Sequence, residues 1–187
     1  MTPRIRPLDR DEIDPGLLAL PAFRRSGSPV PFNIYRTLAH HPAVLESWIL
    51  FGDRIRFEGD LSVRERELLI LRTGANCGCE YEWGQHVPHG LASGILELEL
   101  DALTRPLGNH PWARADLALL TAADELHVDA EIRDDTWAEL SELYSVRQTI
   151  EITMLVGMYH VVCFVLNGFR VAREPHLPPF PHPPTTR

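Results

Sequence analysis

Two short runs have the same form: Ser62-Val63-Arg64-Glu65 and Ser145-Val146-Arg147-Gln148. In each, a serine is followed three residues later by Glu or Gln, and an apolar stretch comes next. A serine so placed accepts a hydrogen bond from the backbone N–H of the third residue, whose side chain returns one to the serine N–H. Each run therefore fixes the start of a helix. The first predicts a helix through the apolar residues Leu68, Leu69, Ile70 and Leu71, with Gly74 as its stop. The second predicts a long apolar helix over about 146–166. Pro42 suits a first helical position, ahead of a stripe of Leu45, Trp48, Ile49 and Phe51. Pro111 is expected to open a helical run with Leu117, Leu120 and Leu126, and Asp134 is placed to cap a helix carrying Trp137, Leu140 and Leu143. Residues 95–100 alternate apolar and acidic side chains and read as a short helix.

Helices thus account for the middle of the chain, and prolines bound it. Pro3, Pro7, Pro15, Pro21 and Pro29 make residues 1–30 an arm of extended chain or short turns. Pro175, Pro178, Pro179, Pro181, Pro183 and Pro184 make residues 173–187 a tail expected to be polyproline-like or flexible. The segment between them, 31–172, forms one helical domain. No βαβ alternation and no glycine-rich phosphate loop occur, so the fold class is all-α rather than nucleotide-binding α/β.

Charge and cysteine use narrow the function. The formal net charge of −8 lacks the basic surface a general nucleic-acid binder needs. Apolar runs such as 150–156 are too short to span a bilayer, and nothing apolar follows the N-terminal Met-Thr-Pro-Arg, so no membrane or secretory segment is expected. Three cysteines cannot frame a disulfide scaffold, which favours reduced thiols in the cytoplasm.

The chemistry concentrates in residues 76–86. On a continuous helix Cys79, Glu82 and His86 stand at i, i+3 and i+7, sharing one face. Cys79 would lie in the first turn, where a helix N-terminus favours a thiolate. His86 can carry protons near neutral pH, and Glu82 can orient it or act as acid or base. Tyr81 and Trp83 are placed to wall a substrate pocket. Pro88, inside this helix, predicts a kink or early stop. Cys77 and Cys79 could pair only as a strained, redox-active disulfide. His86, His89 and Cys79 lack the spacing of a closed zinc site, and His40, His41 and His127 show no usable ligand spacing, so neither metal nor other cofactor is expected. A shift of 84 residues sets Glu67 on Glu151, Leu71 on Leu155, Cys79 on Cys163 and Gly84 on Gly168, which raises the possibility of a duplicated helical hairpin.

These residues resemble the carboxymuconolactone decarboxylase / AhpD-like family. The resemblance rests on residues 61–72, on Glu80-Tyr81-Glu82-Trp83-Gly84-Gln85-His86 and on Gly94. Residues 33–38, 123–127, 134–137 and 156–159 extend it to roughly 30–170. It implies an AhpD-like helical bundle, a homo-oligomer and a small-molecule substrate. Its alkylhydroperoxidase branch implies a relay of Glu67, Cys79 and His86 with a second cysteine, but that position is Glu82. A two-cysteine peroxiredoxin cycle would then have to use Cys77 with Cys79. Its lyase branch implies acid–base work on a carboxylated lactone by Glu67, Glu82 and His86. Three readings follow: a decarboxylase-like enzyme with a Glu67/Cys79/Glu82/His86 site, an AhpD-like thiol peroxidase or disulfide reductase, and a non-catalytic helical oligomer that binds a ligand or partner.

Overall fold

The computed structural model describes residues 2–25, 27 and 29–182. Among them nine α-helices and three 3₁₀ turns occur and no strand: α1 (Pro15–Ala19), α2 (Asn33–Leu38), α3 (Pro42–Phe57), α4 (Val63–Asn76), α5 (Glu80–Ala92), α6 (Glu97–Leu103), α7 (Arg114–Val128), α8 (Asp134–Leu143) and α9 (Val146–Phe169). Both capping boxes form, Ser62 with Glu65 and Ser145 with Gln148.

Helix α4 is the axis of the molecule, packed chiefly against α5, α7 and α9. Every residue from 67 to 74 is buried. Leu69 and Ile70 join the main core with Leu155, Tyr159 and Cys163, while Leu68 and Leu71 join a second cluster with Trp83, Leu103 and Trp112. Burying each such leucine contributes about 1.5–3 kcal/mol. One buried cation sits on this axis. Arg72 is paired bidentately with Asp124, both bonds at 2.6 Å, and also donates to the carbonyls of Leu103 and Arg105 at 2.7 and 2.8 Å. A buried guanidinium satisfied in this way is tolerable; stripped of partners it would not be.

Helix α4 runs past Gly74, the expected stop, to Asn76. The turn falls at Gly78, whose φ of 57° is left-handed, and the N–H of Cys79 bonds back to the Gly74 carbonyl at 2.8 Å. Gly74 instead lies where α5 crosses, with a Cβ built there 3.7 Å from the Trp83 nitrogen. Pro88 does not end α5, which continues to Ala92. Residues 111–113 precede α7 rather than open it, and Trp137 faces outward on α8.

The terminal segments depart most from expectation. The N-terminal arm does consist of turns and one short helix, yet Ile13, Leu17, Ala22 and Phe23 are core residues. The tail does not float over residues 173–182. Leu177 is buried, and the Phe180 ring lies 5.1 Å from that of Trp83. Glu174 accepts from the Tyr81 hydroxyl at 3.0 Å, the Asn33 N–H at 2.8 Å and the Gln85 amide at 3.2 Å. Proline removed the helix but not the apolar and acidic side chains that dock the segment. Pro183 and Pro184 lie outside the described residues.

The 84-residue offset relates α4 and α5 to α9, but the geometry differs. Where α4 and α5 break at Gly78, the matching stretch of α9 is one continuous 24-residue helix. Glu151, opposite Glu67 in that register, accepts the backbone N–H groups of Asp60 and Leu61 at 2.8 and 3.1 Å, and so anchors the approach to α4. By length and composition α9 could cross a bilayer, contrary to the reading from short runs, but half of its most apolar window is buried in the fold, as in a core helix.

Candidate active site

Because the capping box sets the start of α4 and Gly78 sets the start of α5, the rotation of both helices is fixed. Glu67, Glu82 and His86 meet between them. All three are at most 6% exposed. His86 Nδ1 lies 2.6 Å from Glu67 Oε2, and His86 Nε2 lies 3.0 Å from Glu82 Oε1, an i,i+4 pair within α5. Tyr159 of α9 brings its hydroxyl 3.3 Å from the same Nε2, its ring edge-on to the imidazole.

The imidazole is held by a carboxyl group on each nitrogen. Burial alone would lower its pKa, but the charges of Glu67 and Glu82 and their hydrogen bonds outweigh it and raise it to about 9. For Glu67 burial raises the pKa, and His86 together with Arg56 brings it below the usual carboxylate range. At neutral pH His86 is thus an imidazolium donating from both ring nitrogens. Burial also keeps Tyr159 far above the normal phenol range, so it stays a neutral hydroxyl. His89, on the next turn, is lowered by burial and by the charge on His86.

These groups open on a cavity of about 790 Å³ walled by α2, α3, α4, α5 and α9. That volume suits a small organic ligand. The wall is largely apolar or aromatic, with Phe32, Ile34, Tyr35, Trp48 and Met158. Tyr81 lines it, as expected, with its hydroxyl tied back to Glu174. Trp83 does not. One residue further round α5, it faces the second core cluster beside Leu68 and Leu71. Arg56 and Arg25 also line the cavity. Arg25 is paired with Asp53 at 2.7 Å, whereas Arg56 has no carboxyl partner within ion-pair distance among the described residues. No sequence signal singled out Arg56; Tyr159 fell within the 156–159 stretch of the resemblance but carried no role there.

Cys79 does not join the site. It is wholly buried, is absent from the cavity wall, and is the N-cap of α5 with non-helical φ −93° and ψ 88°. The i, i+3, i+7 face requires a helical residue at 79, and the break at Gly78 turns this side chain away. Cys79, Cys77 and Cys163 are all free thiols. They gather away from the cavity wall, where Cys163 contacts both of the others. A hydrogen bond from Cys163, set against burial, and the nearby His160 and His127 bring Cys77 down to about 5, while Cys163 is pushed up. Cys77 and His160 are partly exposed.

A search of curated proteins found no match. Among solved structures, an uncharacterised peroxidase-related protein with an alkylhydroperoxidase AhpD core from Ralstonia eutropha superimposes with a TM-score of 0.81. It is 16% identical, over 92% of this chain and 93% of that one. The debrominase Bmp8, in a Cys-to-Ala variant complexed with 2,3,4-tribromopyrrole, gives 0.78 at 16% identity, over 94% of each chain. A protein of unknown function from Agrobacterium tumefaciens, a putative antioxidant defence protein AhpD, gives 0.68 at 20%, over 73% of this chain and 94% of that one. These likenesses establish an AhpD-type fold. The model of the carboxymuconolactone decarboxylase family matches residues 42–125, from the start of α3 to Glu125 in α7 and including Glu67, Glu82 and His86.

Proposed function

We propose that the protein is a small-molecule enzyme that performs acid–base chemistry on a compact, largely apolar anion, in the manner of a decarboxylase. The observation that carries this reading is His86, clamped between Glu67 and Glu82 on the wall of the cavity. Arg56 receives the negative charge of the substrate. Breaking the carbon–carboxyl bond releases CO₂ and leaves the electron pair on the substrate, delocalised into an adjacent carbonyl. The His86 imidazolium, backed by both carboxyl groups, supplies the proton that completes the new C–H bond, and the Tyr159 hydroxyl donates to the developing oxyanion. Cys79 takes no part, which separates this reading from thiol peroxidase activity through Cys77 and Cys79. The three free thiols accord with a reducing, cytoplasmic setting. Ile150, Met154, Val161 and Phe164 form an exposed apolar stripe on α9, which supports a homo-oligomer.

The test is turnover of a carboxylated γ-lactone, read as CO₂ release, beside peroxide consumption with cumene hydroperoxide. Glu82→Gln and His86→Ala are expected to cut CO₂ release by about 10²–10⁴-fold, with Cys79→Ser unchanged. Peroxide turnover lost in Cys79→Ser and kept in Glu82→Gln would overturn the proposal in favour of thiol chemistry. Wild-type behaviour of all three variants would leave a binding module.

A further inference from the structure

A second cluster of reactive side chains lies outside the cavity. Cys77 ends α4, His127 is in the last turn of α7, and His160 is on α9, one residue beyond Tyr159. Their ligand atoms all lie within 4.8 Å of one another. His127 Nδ1 is 2.9 Å from His160 Nε2 and 4.0 Å from Cys77 Sγ.

The surroundings orient these atoms. His160 Nδ1 donates to the Val156 carbonyl at 2.8 Å, which leaves Nε2 as the nitrogen facing the other two residues. A backbone carbonyl bonded to the outer ring nitrogen is the usual support for a metal-bound histidine. The Asn167 amide donates to the Cys77 carbonyl at 3.0 Å and fixes the backbone that carries the thiol. The edge of Phe164 packs 6.0 Å from the His160 ring. All three ligand residues are half-buried, so an ion can enter from solvent and a water can complete its shell.

We propose that Cys77, His127 and His160 form a binding site for a borderline-soft divalent transition ion of the Zn²⁺ class. Two imidazoles and a thiolate suit such an ion, and neither Mg²⁺ nor Ca²⁺ takes that donor set. Tetrahedral zinc places two nitrogens roughly 3.3 Å apart and sulfur and nitrogen roughly 3.6 Å apart. The observed 2.9 and 4.0 Å therefore need shifts of only a few tenths of an ångström. Three protein ligands leave the fourth position to solvent. The site is independent of the cavity and does not rest on the function proposed for it.

The experiment titrates the reduced, full-length protein with Co²⁺ and with Zn²⁺ against a chromophoric chelator. One ion per chain is expected, with a thiolate-to-cobalt charge-transfer band and the intense visible bands of a tetrahedral site. Cys77→Ser should abolish the charge-transfer band. His127→Gln and His160→Ala should each weaken affinity at least roughly tenfold. His86→Ala and His89→Ala should bind as wild type does. The proposal is overturned by a wild type that binds no ion, by binding without the thiolate band, or by Cys77→Ser and His127→Gln variants that bind normally. Far-ultraviolet circular dichroism establishes that each variant is folded. If His160→Ala is not, the other two substitutions decide the question.

Discussion

Helices α4 and α9 serve two polar clusters that share almost nothing else. On one side Glu82, His86 and Tyr159 meet Glu67 in a buried site with every ring nitrogen engaged. On the other, His160 meets Cys77 and His127 in a half-exposed site. Tyr159 and His160 are neighbours in sequence, but about 100° of helical rotation sends them to opposite clusters. The difference teaches how each cluster is held. The buried triad is an electrostatic unit whose members cannot be removed singly without stranding a charge. The exposed one is a loose meeting of groups that water can satisfy.

The sharpest way to break this contrast is to delete one imidazole from each side. His86→Ala leaves two buried carboxyl groups facing each other and should cost about 3–5 kcal/mol in urea unfolding, whereas His160→Ala should cost less than about 1 kcal/mol. Equal losses would mean that the two clusters do not differ in kind. A smaller effect is expected at the back of α5. A Cβ at Gly84 would stand 2.8 Å from the Pro178 oxygen and 2.9 Å from Leu177 Cβ, both on the docked tail. Gly84→Ala should therefore destabilise by about 1–3 kcal/mol and expose the 173–182 segment to protease. Unchanged protease resistance would count against the docked tail.

The pH dependence sharpens the comparison further. The pKa of His86 is raised on folding to about 9, so its stabilisation is complete below its ordinary value of 6.5 and is lost as pH rises through 9. Glu67 is lowered, so its share is complete above 4.5 and is lost as pH falls through its folded value. Wild-type stability should decline on both flanks, and His86→Ala should flatten the alkaline one. A decline that persists unaltered in the variant would place its origin elsewhere. The smallest perturbation is chemical labelling of the native protein. Cys77 should react with a maleimide first, and Cys79 and Cys163 only on unfolding, because both are fully buried. Equal rates for Cys77 and Cys79 would reopen a cavity role for Cys79.

Much of the site was legible because it is local. Glu82 and His86 stand four apart on one helix, and their order with Glu67 carries the family pattern. Cys79 was misplaced for an equally local reason: the face was drawn on an unbroken helix, and Gly78 ends one helix before Cys79 begins the next. Arg56 was invisible because no spacing links α3 to the motif, and Tyr159, though inside the 156–159 stretch of the resemblance, could not be placed in the site because no spacing links α9 to it. The same holds for His127 and His160, 50 and 83 residues from Cys77 by their numbers.

The sequence by itself determined the helices, since capping serines, apolar periodicity and proline exclusion act within a few residues. It also determined the pairing of Glu82 with His86, which one helical turn enforces. Only the tertiary structure decided which side of each helix meets a cavity, a core or a neighbouring thiol. That outcome depends on how α3, α4, α5, α7 and α9 pack together, and close packing is settled by all of them at once.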